Sequence, residues 1–210
     1  MQPLVIRYLL LSSCIVLCMA CTNEYKSLRA ATGDAACVEK FRPDFTAQLY
    51  KANIAVSGKS LSGLLLVKKM PDSSTRLLFS TETGFKFFDF EFSNDGKFKV
   101  YSIIKQMNKK PVIKTLRKDF ELIMMNDTGN KNVQIRKDDK LLYYSFKQSK
   151  GYYHYITSIS GEELIRAERA SKRKAVMEAI MKNYTNGIPD SIGITHKNFN
   201  FTIGLKRIIR

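Results

Sequence analysis

Only two histidines and four cysteines occur in the 210 residues, and that scarcity removes most of the chemistry by which a catalytic or metal site declares itself. His154 and His196 fall in different predicted strands with no carboxylate or cysteine at metal-ligand spacing, so neither a zinc site nor a catalytic triad is indicated. Each reads as a strand-face residue. Glycine-rich phosphate loops, G-x-S-x-G and H-E-x-x-H are all missing. Asp89 and Glu91 share one strand face and have the residue types of an acid/base pair, but lysines stand nearby and the simpler reading is a solvated face. The sequence therefore predicts a protein that is not an enzyme and needs no metal or cofactor. Internal repeats and low-complexity tracts are absent. After the first twenty residues no apolar run reaches membrane-spanning length, which predicts a soluble body.

What is present begins at the N-terminus. One charge, Arg7, precedes an uncharged and mostly apolar run over residues 8–20, which is the length of a signal-peptide core and too short for a bilayer span. Ala20-Cys21-Thr22 then sets a small residue before a cysteine and resembles the lipobox of bacterial lipoproteins, in which that thiol receives a diacylglyceryl group before cleavage. On this reading residues 1–20 are removed and Cys21 carries the lipid that tethers the protein to a membrane. Leu11-Ser12-Ser13-Cys14 also has the lipobox pattern, and Cys18 stands at −3 from Cys21 where leucine is usual. Cleavage before Cys14, however, would leave an apolar core of only residues 8–13. The CxxC spacing of Cys18 and Cys21 lies in a segment about to be removed, so it carries no redox or metal role. Cys37 is then the one free thiol of the mature chain, no intramolecular disulfide is available, and stability must come from a core.

With Arg7 gone the mature chain has 34 basic and 19 acidic residues, a net charge of +15. In the cytosol nucleic acid would be the first partner to consider. Outside it the available polyanions are phospholipid head groups, lipopolysaccharide phosphates and cell-wall polymers, so no nucleic acid is expected. The charges are spread along the chain, and solubility alone is an equal reading.

Residues 22–34 are polar and suit a flexible tether, making 21–34 the lipidated cysteine and its linker and 35–210 a single domain. A brief helix over 35–40 is stopped by Pro43. From Phe45 apolar and aromatic residues alternate with a period of two, interrupted by turn signals such as Asn94-Asp95-Gly96, which predicts strands near 45–56, 61–69, 75–81, 85–93 and 97–104. Connections this short make neighbouring strands antiparallel. Across 109–125 the period changes: Val112, Leu116, Phe120 and Ile123 recur at helical spacing, with Lys109, Lys110, Lys114, Arg117 and Lys118 on other faces. Strands resume near 132–137, 140–147, 152–159, 163–170, 174–184, 190–196 and 199–208. Residues 171–183 favour helix by composition, but their place among strands predicts a strand. Phe88, Phe90 and Phe92 fall on one side of their strand and Phe85 and Phe87 on the other, while Leu142, Tyr144 and Phe146 oppose Leu141 and Tyr143. A sheet covered on both faces needs this, whether it curls round a ligand or has a solid core.

A lipobox, five or six meandering strands, one amphipathic helical insertion and further strands closing with Ile188-Pro189-Asp190-Ser191-Ile192-Gly193-Ile194 and Phe199-Asn200-Phe201-Thr202-Ile203-Gly204-Leu205 resemble the lipoprotein-carrier superfamily of LolA and LolB. Gly63-Leu64-Leu65-Leu66-Val67-Lys68, then Leu77-Leu78-Phe79-Ser80 and Thr83-Gly84, are similar to LolB-like lipoproteins and related lipoproteins of Bacteroidota. The resemblance implies a mostly β, α+β fold: a curved antiparallel sheet forming a half-open barrel whose concave apolar face holds acyl chains, with the 109–125 helix as lid. It implies cavity or lid roles for Val112, Leu116, Phe120, Ile123 and Met124. Met107, Met125, Met177 and Met181 would add deformable walls, although core filling is the other reading for each. It also implies a membrane-inserting apolar residue in the loop after the Gly63 strand, where Met70 is the candidate and leucine is usual. Lys109, Lys110, Arg117, Lys118, Lys172, Arg173 and Lys174, with Lys68 and Lys69, are candidates for anionic head groups. By the sorting rule of some bacteria, Thr22 after the lipidated cysteine favours the outer membrane, with the domain on its periplasmic side. The expected partners are that membrane and acyl chains or lipoproteins, bound by a monomer. Two alternatives stay open: a solid-cored basic module docking an acidic envelope partner, and a hydrolase using Asp89, Glu91 or a histidine.

Overall fold

A computed structural model describes residues 23–56, 58–126, 128 and 133–209, so the segment expected to be a signal peptide and Cys21 lie outside the described residues. Alternation of apolar and polar residues produces an N-terminal meander of β2 (Ala47–Val56), β3 (Lys59–Lys69), β4 (Thr75–Ser80), β5 (Lys86–Phe92) and β6 (Phe98–Ile103). After the helix α2 (Lys110–Met124) a second meander runs through β7 (Val133–Lys137), β8 (Leu141–Lys147), β9 (Tyr152–Ser158), β10 (Leu164–Ala170), β11 (Ala175–Thr185), β12 (Ile188–His196) and β13 (Phe201–Arg207). The last strand returns to the first of these, with Phe201 opposite Val56 and Arg207 opposite Tyr50, and joins the meanders into one sheet. Its order is β1-β7-β8-β9-β10-β11-β12-β13-β2-β3-β4-β5-β6, where β1 (Arg29–Ala30) and β6 are edges, so the sheet does not close into a barrel.

The predicted strands and helix are all present within a few residues of their predicted bounds, and the short helix is α1 (Ala36–Glu39). Residues 171–183 are strand from Ala175: Ala175, Met177, Ala179 and Met181 are buried alternately, and that burial overrides helix propensity. Strict alternation fails in β5. Phe79 pairs with Phe88 but Ser80 with Lys86, so Phe87 is the extra residue of a bulge. The bulge turns Phe87 inward, where its ring stacks on Phe79 at 4.7 Å, instead of leaving it on the side opposite Phe88.

One core lies between the concave face and α2. Phe88 and Phe90 stack at 4.4 Å, and Phe120 of the helix meets Phe88 at 6.0 Å. Pro111 in the first turn starts the helix, and Met125, in the left-handed region at φ 53°, ends it. Gly63 lets β3 and β4 meet at this face, since a Cβ there would stand 2.1 Å from the Ser80 carbonyl oxygen.

The segment expected to be a flexible tether is instead docked from Asn23 onward. Glu24 N–H donates to the Arg173 carbonyl (2.8 Å) and Ala175 N–H to the Glu24 carboxylate (2.9 Å). Tyr25 is buried on the convex face, its hydroxyl donating to Glu168 Oε2 at 2.7 Å, and β1 then pairs with β7. Tyr25, Tyr143, Ile156 and Ala170 form a small second core that the apolar N-terminal side chain completes.

Under this strap His154 is buried, 2.8 Å from Ser145 Oγ, and burial pushes its pKa down from 6.5 to about 4 against the pull of Glu168. The unfolded chain takes up a proton near pH 6.5 that the folded chain refuses until about pH 4. Stability present above pH 6.5 is therefore lost as pH falls through that window, by on the order of 3 kcal/mol. Urea midpoints followed down the pH scale are expected to fall less steeply for His154→Gln than for the parent. Equal slopes would show that the imidazole is not kept neutral.

Candidate functional site

An apolar cleft of about 350 Å³ opens where the first turns of α2 lean over the ends of β2, β3 and β13. Ile54 and Val56 line it from alternate positions of β2, Leu61 from β3, Phe199 from the turn before β13, Phe201 from the first position of β13, and Met107, Val112 and Leu116 from the helix side. Gln106, Lys109, Pro111 and Thr115 complete the lining. Val56 is 37% and Phe199 47% exposed, so the mouth is open to solvent. The volume lies at the lower end of small-ligand sites. Larger hollows around Arg42 and Asp44, and around Lys182 and Tyr184, include charged side chains among their linings.

Behind the cleft a buried polar cluster fastens the helix to the sheet. Asp119 of α2, fully buried, lies 2.7 Å from His196 Nε2 at the end of β12 and 3.4 Å from the Arg169 guanidinium of β10. Burial raises the Asp119 pKa, while the hydrogen bond and charge of His196, and the charge of Arg169, oppose the rise. Oδ2 is the oxygen hydrogen-bonded to His196, whereas Oδ1 lies at ion-pair distance from Arg169 without a hydrogen bond. The His196 ring also lies against Phe199 (4.6 Å) and Phe201 (4.9 Å), so the latch and the cleft wall share a residue. Tyr155 hydroxyl donates to the Leu122 carbonyl (3.1 Å) and adds a second tie to the helix C-terminal half.

Of the residues singled out for a cavity, Met107, Val112 and Leu116 line the cleft, whereas Phe120, Ile123, Met124, Met177 and Met181 are each 4% exposed or less and belong to the core, Met124 and Met181 also bordering the two larger hollows. The interior is thus occupied beneath most of the helix. Lys109 and Lys110 are exposed at the helix start. Arg117 instead pairs with Glu121 (2.6 Å) over the Phe98 ring, and the Lys118 amine lies 5.8 Å from the Tyr153 ring centroid. Lys172, Arg173 and Lys174 are exposed in the β10–β11 turn. Met70 does not protrude: it is half-buried, its N–H donates to the Ser74 carbonyl (2.8 Å), and its carbonyl accepts from Ser73 N–H (2.9 Å).

Asp89 is not solvated either, being buried and held by two bonds from Arg76 (2.7 and 2.9 Å), whereas Glu91 accepts from Tyr101. The residues that sequence reasoning missed are Asp119 and Arg169 as partners of His196, and Ile54, Val56, Leu61, Phe199 and Phe201 as cleft walls. Alternate apolar residues in β2 and β13 were the available signal for the walls; no local signal joins Asp119 to a histidine 77 residues away.

No protein family matches the sequence, and no curated protein is similar to it in sequence. Similarity appears in solved structures. A LolA superfamily protein from Nitrosomonas europaea superposes with a TM-score of 0.55 at 12% identity, covering 85% of this chain and 93% of that one. A protein from Vibrio parahaemolyticus described as an outer membrane lipoprotein-sorting domain gives a TM-score of 0.49 at 7% identity, covering 83% and 90%. The chain has a LolA-like fold, a curved half-open antiparallel sheet with a helix across its concave side.

Proposed function

We propose that the protein is a membrane-anchored carrier, lipidated at Cys21, that holds acyl chains of a lipid or lipoprotein in the cleft beneath α2, in lipid or lipoprotein trafficking at the periplasmic face of the outer membrane. The observation that carries this reading is the open apolar cleft between the helix and the concave face, in a LolA-like fold. Each methylene moved from water into such a surface contributes roughly 0.8 kcal/mol. The lipobox-like Ala20-Cys21-Thr22 supports the anchor. The test is native mass spectrometry of the chain from residue 21 with Cys21→Ser. Stoichiometric phospholipid or acylated peptide is expected. Leu61→Trp, which fills the cleft from its wall, is expected to lower occupancy at least tenfold with the fold intact. A parent chain that neither carries nor takes up an acyl ligand overturns the proposal.

The filled interior favours a second reading, in which the basic surface docks an acidic envelope partner. Such binding would weaken steeply with ionic strength, whereas acyl occupancy would persist.

A further inference from the structure

Because the sheet is antiparallel throughout, its hairpin connections alternate between two ends. At the cleft end, the turn at Gly58 and connections 81–85, 148–151, 171–174 and 197–200 hold five basic residues and one acidic residue. At the far end, 70–74, 93–97, 138–140, 159–163 and 186–187 hold two basic and six acidic. Charge that is dispersed along the sequence is therefore sorted by the fold. Lys105, Lys109 and Lys110, all exposed where the chain enters α2, add to the basic end.

The same end carries exposed Phe199 and Val56 at the cleft mouth. The strap reaches it too, through Glu24 bonded at the Lys172-Arg173-Lys174 turn. Cys21 is three residues before Glu24, a span of at most about 11 Å. A lipid on that cysteine would hold the basic turn close to a bilayer surface.

We propose that this basic end is the face that the protein holds against an anionic phospholipid surface, with the cleft opening onto it. The inference rests on the carrier reading only for the anchor; the charge polarity stands without it. Met70, beside Asp72 at the opposite and acidic end, would then face away from the bilayer.

The test uses the chain from residue 21 with Cys21→Ser, which keeps every contact described here, and vesicles of phosphatidylcholine with or without phosphatidylglycerol. The protein has no tryptophan, so Phe199→Trp at the basic end and Ile159→Trp at the acidic end each give a single reporter. Binding is expected only with phosphatidylglycerol, with a blue shift at position 199 and none at 159. Each cation removed from the basic end should weaken binding roughly fivefold. K172Q/R173Q/K174Q is expected to lose at least tenfold, and K97Q/K140Q at the far end to lose nothing. Equal affinity for neutral vesicles, no binding, a shift at 159, or equal losses in the two charge variants overturns the proposal. A chain that carries lipid yet ignores phosphatidylglycerol keeps the carrier reading and loses this one; a chain that docks through position 199 but never holds an acyl chain does the reverse.

Discussion

Asp119→Ala is expected to lower the stability of the folded chain by about 3–5 kcal/mol, the cost of leaving buried charge without its partner. The substitution strips Arg169 and His196 of the one carboxylate they share, and His196 has a side chain only 1% exposed and cannot turn to water. The loss should concentrate in the helix: amide hydrogens of Lys110–Met124 are expected to exchange faster relative to the β2–β3 hairpin. Asp119→Asn, which retains a hydrogen-bond acceptor for His196 but no charge, should fall between the two. Urea denaturation and hydrogen exchange together check this. A loss below about 1 kcal/mol, with the helix protected as before, would mean that the polar cluster is wet and does not latch the helix.

Phe120→Ala is expected to cost about 3–5 kcal/mol as well, here as a cavity where a ring 1% exposed had met Phe88. Its functional sign is opposite. Phe120 lies one turn beyond Leu116, whose side chain lines the cleft, so removing the ring should extend the apolar volume inward and raise acyl occupancy while stability falls. Denaturation and native mass spectrometry on one preparation check both. Lower stability without extra ligand would mean that the cleft ends at Leu116 and the core behind it is not continuous with the binding site.

The fold was legible because its signals are local. Period-two patterns bounded by turns such as Asn94-Asp95-Gly96 specify hairpins, and the Val112–Leu116–Phe120–Ile123 spacing specifies the long helix α2. What escaped were the features made by distant pairing. The bulge at Phe87 depends on β4, the burial of Tyr25 depends on β10, and Asp119 meets His196 only because α2 crosses the concave face. The site was half legible for the same reason. Helical periodicity marked Val112 and Leu116 as facing inward, but whether Phe120 and Met177 border a space or fill it depends on how tightly the sheet curves, and alternation of residue types carries no measure of curvature.

The pairing of β13 with β2 also has a kinetic side. All other neighbours in the two meanders are joined by short connections and can zip as hairpins when they emerge, but this seam joins residues 50–56 to 201–207. A chain threaded N-terminus first through a translocation pore cannot begin that pairing until its last few residues have crossed. Until then both meanders present an unpaired edge and one uncovered apolar face, the state in which β proteins aggregate or attract chaperones. Under the proposed export, substitutions in β13 should therefore weigh on the yield of the protein more than on the stability of molecules that have already folded.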